Sequence, residues 1–320
     1  MVMHSSPALV TQLPQEDLWE YGGHAYGLEP LALPARWLPR TTSFDRASIA
    51  VCHDRLRNLS PAALRDLRPV GDDEIDRMFW FRWITGHQAT FLLWQVLAAI
   101  LDDAEAPASY AEKLAAQARL LVCGYTLMLI YSSSPTREIY NRVIRGPMAR
   151  QHVNLSGAWA RDYLPVRQLV RGKVSFGSGV EADALRRECE LNEIVHQGIA
   201  DKVVPSGVSL LQGPKPAGGR WRMHRDTLLW LYDGIFLTSR TVVSYEQVVI
   251  QLVRRLHAIV LDVMVNGLYP SFASSRHEEP PSLQIGELMG RKQEFTDTLL
   301  EIVRFVGALV PEEPQHPAAS

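Results

Sequence analysis

Apolar positions recur at helical spacing along most of this chain, and strand-like alternation is scarce. The clearest segment runs from Asp72 to Asp103 and begins with an acidic turn, which favours a helix N-terminus. Its large residues Trp80, Trp83, Ile84, His87, Phe91 and Trp94 follow i, i+3/i+4, i+7 spacing and share one face. A second helix is predicted from Tyr110 to about Tyr131. "SSSP" then interrupts the pattern, with Ser134 placed to cap a shorter helix and Pro135 at its first position, ending near Gln151. Further helices are predicted over Glu181 to Val204, Met223 to Arg240, Tyr245 to Asn266 and Ser282 to Val310. "GKVSF" (172–176) is at most one short hairpin arm. The pattern predicts an all-α fold: one helical domain over 71–310, a Pro- and Gly-containing arm of irregular structure and short helices over 1–70, and a flexible Pro-rich tail over 311–320.

Composition adds little to that picture but narrows it. With 320 residues, 47% of them hydrophobic and 21% charged, the chain can build a sizeable core. A formal charge of -2 gives no electrostatic signature for nucleic acid or a membrane surface. Cys52, Cys123 and Cys189 are odd in number, widely spaced and without zinc-like spacing, which reads as reduced thiols. The N-terminal stretch lacks a basic region followed by an apolar run, and the run Leu120 to Tyr131 is too short to span a bilayer. The expected location is the cytoplasm.

Ten histidines are present, yet none falls in an HxxxH or HExxH pattern. There is no Walker loop, no GxSxG elbow and no GxGxxG after a strand. Two histidines stand out because their helical faces are apolar. His87 sits among Trp and Phe, and His196 shares a stripe with Cys189, Asn192, Ile199 and Val203. Each reads alone as a core histidine with a hydrogen-bond partner. Together, on two long helices, they also read as the two sides of a cavity for a flat apolar cofactor such as haem.

A resemblance favours the second reading. "GHQATFLLWQVL" (86–97) resembles the His-Gln…Leu-Trp helix of tryptophan 2,3-dioxygenases, "HQGIADKVVPSGVSLLQG" (196–213) is similar to their proximal segment, and "LSGAWARDYLPVRQL" (155–169) to the segment that carries their carboxylate-binding arginine. The shorter spacing between the two histidines looks more like a related branch, the bacterial histidine-ligated haem-dependent L-tyrosine 3-hydroxylases of natural-product pathways. The resemblance implies a helical bundle enclosing haem, with His196 as proximal axial ligand and His87 on the distal side. Some relatives attach haem through a cysteine four residues after the axial histidine; Ala200 stands there, which implies non-covalent haem b.

The implied reaction is hydroxylation of L-tyrosine ortho to its phenol, giving L-DOPA, with hydrogen peroxide, or dioxygen plus a reductant, as oxidant. His87, with an ordinary imidazole pKa near ~6.5, accepts or relays a proton. Arg161 or Arg167 grips the carboxylate, and Ser206 and Ser209 meet the ammonium or carboxylate unless they are plain turn residues. Trp80, Trp83, Phe91 and Trp94 line the haem and Tyr163 the substrate in that picture, although simple packing is the commoner role for each aromatic taken singly. A homo-oligomer is expected. Other readings share these residues: a ring-cleaving tryptophan or indole dioxygenase, a non-catalytic haem carrier, or an all-α interaction protein without cofactor.

Overall fold

The computed structural model describes residues 19–21, 24–26, 29–35, 74–102, 110–151, 155, 157–174, 176–203, 225–270 and 279–308. They are mostly helical, as the periodicity predicts. The principal helices are α1 (Ile75–Asp102), α2 (Ala111–Ser132), α3 (137–151), α4 (Tyr163–Val170), α5 (Val180–Val203), α6 (Arg225–Ile235), α7 (Tyr245–Asn266), α8 (Gly286–Gln293) and α9 (Phe295–Ala308). Helix α1 is central: α2, α4 and α7 all pack on it, α5 lies against the far side of α2, and α9 closes over α2 and α7. Both α1 and α2 are long and apolar enough to cross a membrane by composition alone, but their apolar windows are 89% and 72% buried inside the protein. Gly86 permits the close approach of α1 and α2, since a β-carbon there would stand 3.1 Å from Ser132 Cβ and 3.2 Å from the Tyr131 ring.

Because α1 is buried on nearly every side, its polar residues need partners inside the protein. Arg82 and Asp262 of α7 are both 0% exposed and form a bidentate pair, Nε to Oδ2 at 2.8 Å and Nη2 to Oδ1 at 3.2 Å. Arg82 also donates to Gly267 O, Leu268 O and Ser134 Oγ, so all three of its nitrogens are engaged. Tyr131 Oη and Asn266 Nδ2 each donate to Asp262 at 2.7 Å. This knot ties α1, α2 and α7 together at one end of the bundle.

Several local expectations are corrected. Ser134 accepts from Arg82 and caps no helix; Thr136 is the cap instead, its side chain accepting from Ile139 N. Helix α3 is π-helical over Tyr140–Arg145, flanked by α-helical turns. The helix expected to run to Arg240 stops at Ile235, and the one expected over 282–310 is broken into a 3₁₀ turn at Pro281–Leu283, α8 and α9. Among its described residues "GKVSF" forms no strand. Short strands occur elsewhere: β1 (Trp19–Tyr21) and β2 (His24–Tyr26) form an antiparallel pair, while β3 (Leu31–Leu33) runs parallel to β4 (Thr238–Arg240) with Leu33 opposite Arg240. Gln251 of α7 bonds both N and O of Ala32 at 2.9 Å, fixing β3 and with it β4. Cys123 and Cys189 are free and buried, and burial pushes both thiols up to about 12; Cys52 lies outside the described residues.

The buried pair gives a direct test. Asp262→Ala leaves the Arg82 charge uncompensated and should cost about 3–5 kcal/mol in urea unfolding. A loss under about 1 kcal/mol would show that the knot is dispensable.

Candidate active site

The centre of α1 builds the first half of the site. Residues Trp83, His87, Phe91 and Trp94 follow one another along a single face and meet Tyr232 and Phe236, brought in by α6 and the turn after it. The His87 imidazole lies nearly parallel to the Phe236 ring, with centroids 4.5 Å apart and planes at 16°, while Trp83 covers it at 4.0 Å. Trp94 contacts Tyr125 at 5.1 Å and Tyr163 at 5.0 Å, extending the aromatic group toward α2 and α4. Trp83, Phe91, Trp94 and Tyr163 are thus brought together in one aromatic group. Trp80 is buried, but among the described residues it makes no ring contact with them.

His87 Nδ1 is 2.8 Å from the Trp83 carbonyl oxygen. That oxygen only accepts, so Nδ1 carries the proton and Nε2 is left as a neutral acceptor. Burial pushes the imidazole down to about 4, against the opposing pull of the Trp83 carbonyl. This corrects the ordinary imidazole expected from sequence: among rings the charged form loses its hydration, and the group stays neutral through the physiological range.

The neighbouring Gln88, to which sequence reading gave no role, holds this arrangement in place. Its Nε2 donates to the Phe236 carbonyl at 2.7 Å, and its Oε1 accepts from Arg255 at 2.8 Å. The His-Gln pair is therefore one device: Gln88 pins the backbone of the residue whose ring stacks on His87. Leu237 then turns the chain into β4 at φ 50°, a left-handed conformation that costs a leucine roughly 1–2 kcal/mol.

A buried charge network forms the second half. Arg240, at the end of β4, donates to both oxygens of Asp162 at 2.8 and 2.9 Å and to both oxygens of Asp233 at 3.1 and 2.6 Å. Its guanidinium is held above the usual range despite burial, through those two carboxylates. Gln95 of α1 donates to Asp162 at 2.7 Å. Arg161 sits 3.4 Å from Asp233, and its Nε and Nη2 are buried without a hydrogen-bond partner. Arg167 is exposed on α4. The structure separates the two arginine candidates: Arg161 has buried donors to offer, Arg167 does not. Asp162, Asp233, Arg240, Phe236 and Tyr232 were missed by sequence reading; the only local signal was the adjacency of Asp162 to Arg161.

His196 requires a second correction. It is exposed rather than on a buried apolar face. The buried stripe of α5 passes through Cys189 and Asn192 and then swings to Val195, Gly198 and Lys202, leaving His196 at its edge. Glu193, one turn earlier, is near enough to Tyr125 and Tyr163 for its charge to add to the rise that burial gives both phenols. His196 therefore stands one turn from a residue that borders the aromatic group. Ser206 and Ser209 lie outside the described residues.

The residues present fit the expected haem. Among the described residues no group of three or more His, Cys, Asp or Glu can hold a bare metal ion. A haem iron brings four nitrogens of its own and asks the protein for one accessible imidazole; His196, exposed on α5, would be the residue to hold it. The indole N–H groups of Trp83 and Trp94 are buried without partners beside the ring group.

Residues 35–184, just under half of the chain, match the family model described as SfmD 3-methyl-L-tyrosine peroxygenase. The matched part contains His87, Trp94 and Arg161 and ends before His196. No curated protein matches the chain. By its description that family is a peroxygenase acting on 3-methyl-L-tyrosine.

The lowered imidazole predicts a pH signature. The folded state takes up the His87 proton only near pH 4, the unfolded chain near ~6.5, so His87 contributes stability that is present above ~6.5 and lost as pH falls toward 4. The full effect is at most about 3 kcal/mol. Unfolding free energies of wild type and His87→Phe should hold a constant difference above pH 7 and shift by that order below it. A difference that stays flat from pH 7 to 4 would return His87 to an ordinary pKa.

Proposed function

We propose that this chain is a haem-dependent peroxygenase that hydroxylates L-tyrosine ortho to its phenol, yielding L-DOPA in a cytoplasmic natural-product pathway. The observation that carries the reading is a neutral, ring-stacked acceptor, His87 Nε2, in the same site as Arg161 Nη2, a buried donor that no acceptor takes. The family match supports the peroxide-linked chemistry.

His196 is the residue that would bind the haem iron, with Trp83 and Trp94 beside the macrocycle. When bound, haem supplies activation of peroxide. The overall reaction is balanced: the peroxide O–O bond breaks, one oxygen enters the ring C–H bond, and the other leaves as water. The protein holds the substrate by both ends. Arg161 offers Nη2 to the carboxylate, while Asp233 at 3.4 Å from Nε holds the guanidinium in place. His87 Nε2 accepts the hydrogen bond of the phenol; because the imidazolium is disfavoured here, it polarises the O–H and takes the proton only as the ring carbon is attacked. Drawing that proton toward His87 enriches the carbon beside the phenol oxygen, which directs hydroxylation there. The rings of Phe91, Tyr232 and Phe236 exclude water from the site.

The test is an absorption spectrum of the haem-loaded protein followed by incubation with peroxide and either L-tyrosine or 3-methyl-L-tyrosine. One added oxygen on L-tyrosine is expected; protein that stays colourless after haem addition, or no product from either amino acid, would contradict the reading. His87→Ala should keep its haem spectrum and lose about 100-fold or more in turnover. Arg161→Met should raise KM steeply, while Arg167→Met stays near wild type. Equal effects of the two arginine changes would remove Arg161 from substrate binding.

A further inference from the structure

The clamp that holds Arg161 also holds an unused acceptor. Gln95 lies two turns beyond His87 on α1, is 5% exposed, and donates through Nε2 to Asp162. A carboxylate oxygen only accepts, so the amide orientation is fixed by that bond and Oε1 must face the other way. Gln95 Oε1 is buried and has no hydrogen-bond partner, which is costly for an amide unless a ligand supplies the missing donor. Every other strong acceptor of the network is occupied: Asp162 receives Arg240 and Gln95, and Asp233 receives Arg240 with Arg161 at ion-pair distance. The open positions that remain are Nη2 of Arg161, whose Nε faces Asp233 at 3.4 Å, and one acceptor on Gln95. That set is complementary to the carboxylate and ammonium of an α-amino acid.

We infer that Gln95 Oε1 accepts a hydrogen bond from the substrate ammonium, making Gln95 the residue that selects α-amino acids over their desamino analogues. The inference rests on the amino-acid site proposed above. It moves the ammonium contact from Ser206 and Ser209 to the helix that also carries His87. Asp162 and Arg240 act as positioning residues, since they join Gln95 to the frame that holds Arg161. Arg240 itself is unsuited to grip substrate, because both edges of its guanidinium are taken. With both Gln95 and His87 on α1, separated by ~12 Å along its axis, the site measures the length of an aromatic amino acid held at both ends.

Calorimetric binding to the haem-loaded protein, without peroxide, tests this with two ligands: L-tyrosine and 3-(4-hydroxyphenyl)propionate, which lacks the ammonium. Wild type should prefer L-tyrosine about tenfold or more. Gln95→Lys keeps a donor for Asp162 but offers no acceptor, and Gln95→Met removes both; each should erase the preference, mainly by weakening L-tyrosine. A variant that folds and keeps the wild-type preference would overturn the assignment. So would a wild-type protein that binds the two ligands equally, a comparison that needs no variant to fold. Wild type binding neither ligand would instead bring down the amino-acid site itself.

Discussion

A nearly all-buried helix must settle its polar side chains inside the protein, and in α1 that constraint organises everything else. Arg82, Gln88 and Gln95 each reach across to a different element: Arg82 to Asp262 of α7, Gln88 to the turn after α6, and Gln95 to Asp162 before α4. His87 has nowhere to reach but back, to the Trp83 carbonyl one turn earlier. The result is a helix locked at three points, with an imidazole whose second nitrogen is left over. The leftover nitrogen is a consequence of the packing.

The two halves of the site differ in the physics that builds them. Around His87 the surroundings are aromatic, so the charged imidazolium is penalised and the neutral base is what the protein presents. Around Arg161 the surroundings are ionic, with two carboxylates and two guanidiniums in mutual contact. Burial pushes the Asp233 carboxyl up, and the Arg240 and Arg161 charges oppose that rise. An aromatic end that favours neutral groups and an ionic end with open hydrogen-bonding positions suit a molecule that is itself half ring and half zwitterion.

Legibility from sequence followed the range of the interactions. Helix α7 keeps the bounds its periodicity predicts, Tyr245–Asn266, and a capping box of Ser244 and Gln247 fixes its start within four residues. Ser134 looked equally like a cap, yet a guanidinium from another helix claims it, and no local pattern announces that. His87, Trp83, Phe91 and Trp94 were readable because one helix carries them at fixed angular spacing. Phe236 and Arg240 were not, because their position depends on β3 pairing with β4 across about two hundred residues of chain. His196 falls on a stripe drawn through Cys189, Asn192, Ile199 and Val203, whereas the buried residues of α5 continue through Val195, Gly198 and Lys202.

The central claim is that one aromatic amino acid lies with its phenol at His87 Nε2 and its carboxylate at Arg161. A crystal structure of the haem-loaded protein with L-tyrosine measures this directly. The account predicts iron bound by His196, the phenol oxygen within hydrogen-bond distance of His87 Nε2, and the carboxylate on Arg161 with the ammonium at Gln95. A tyrosine bound in the reverse sense, or an iron held by a residue other than His196, would contradict it.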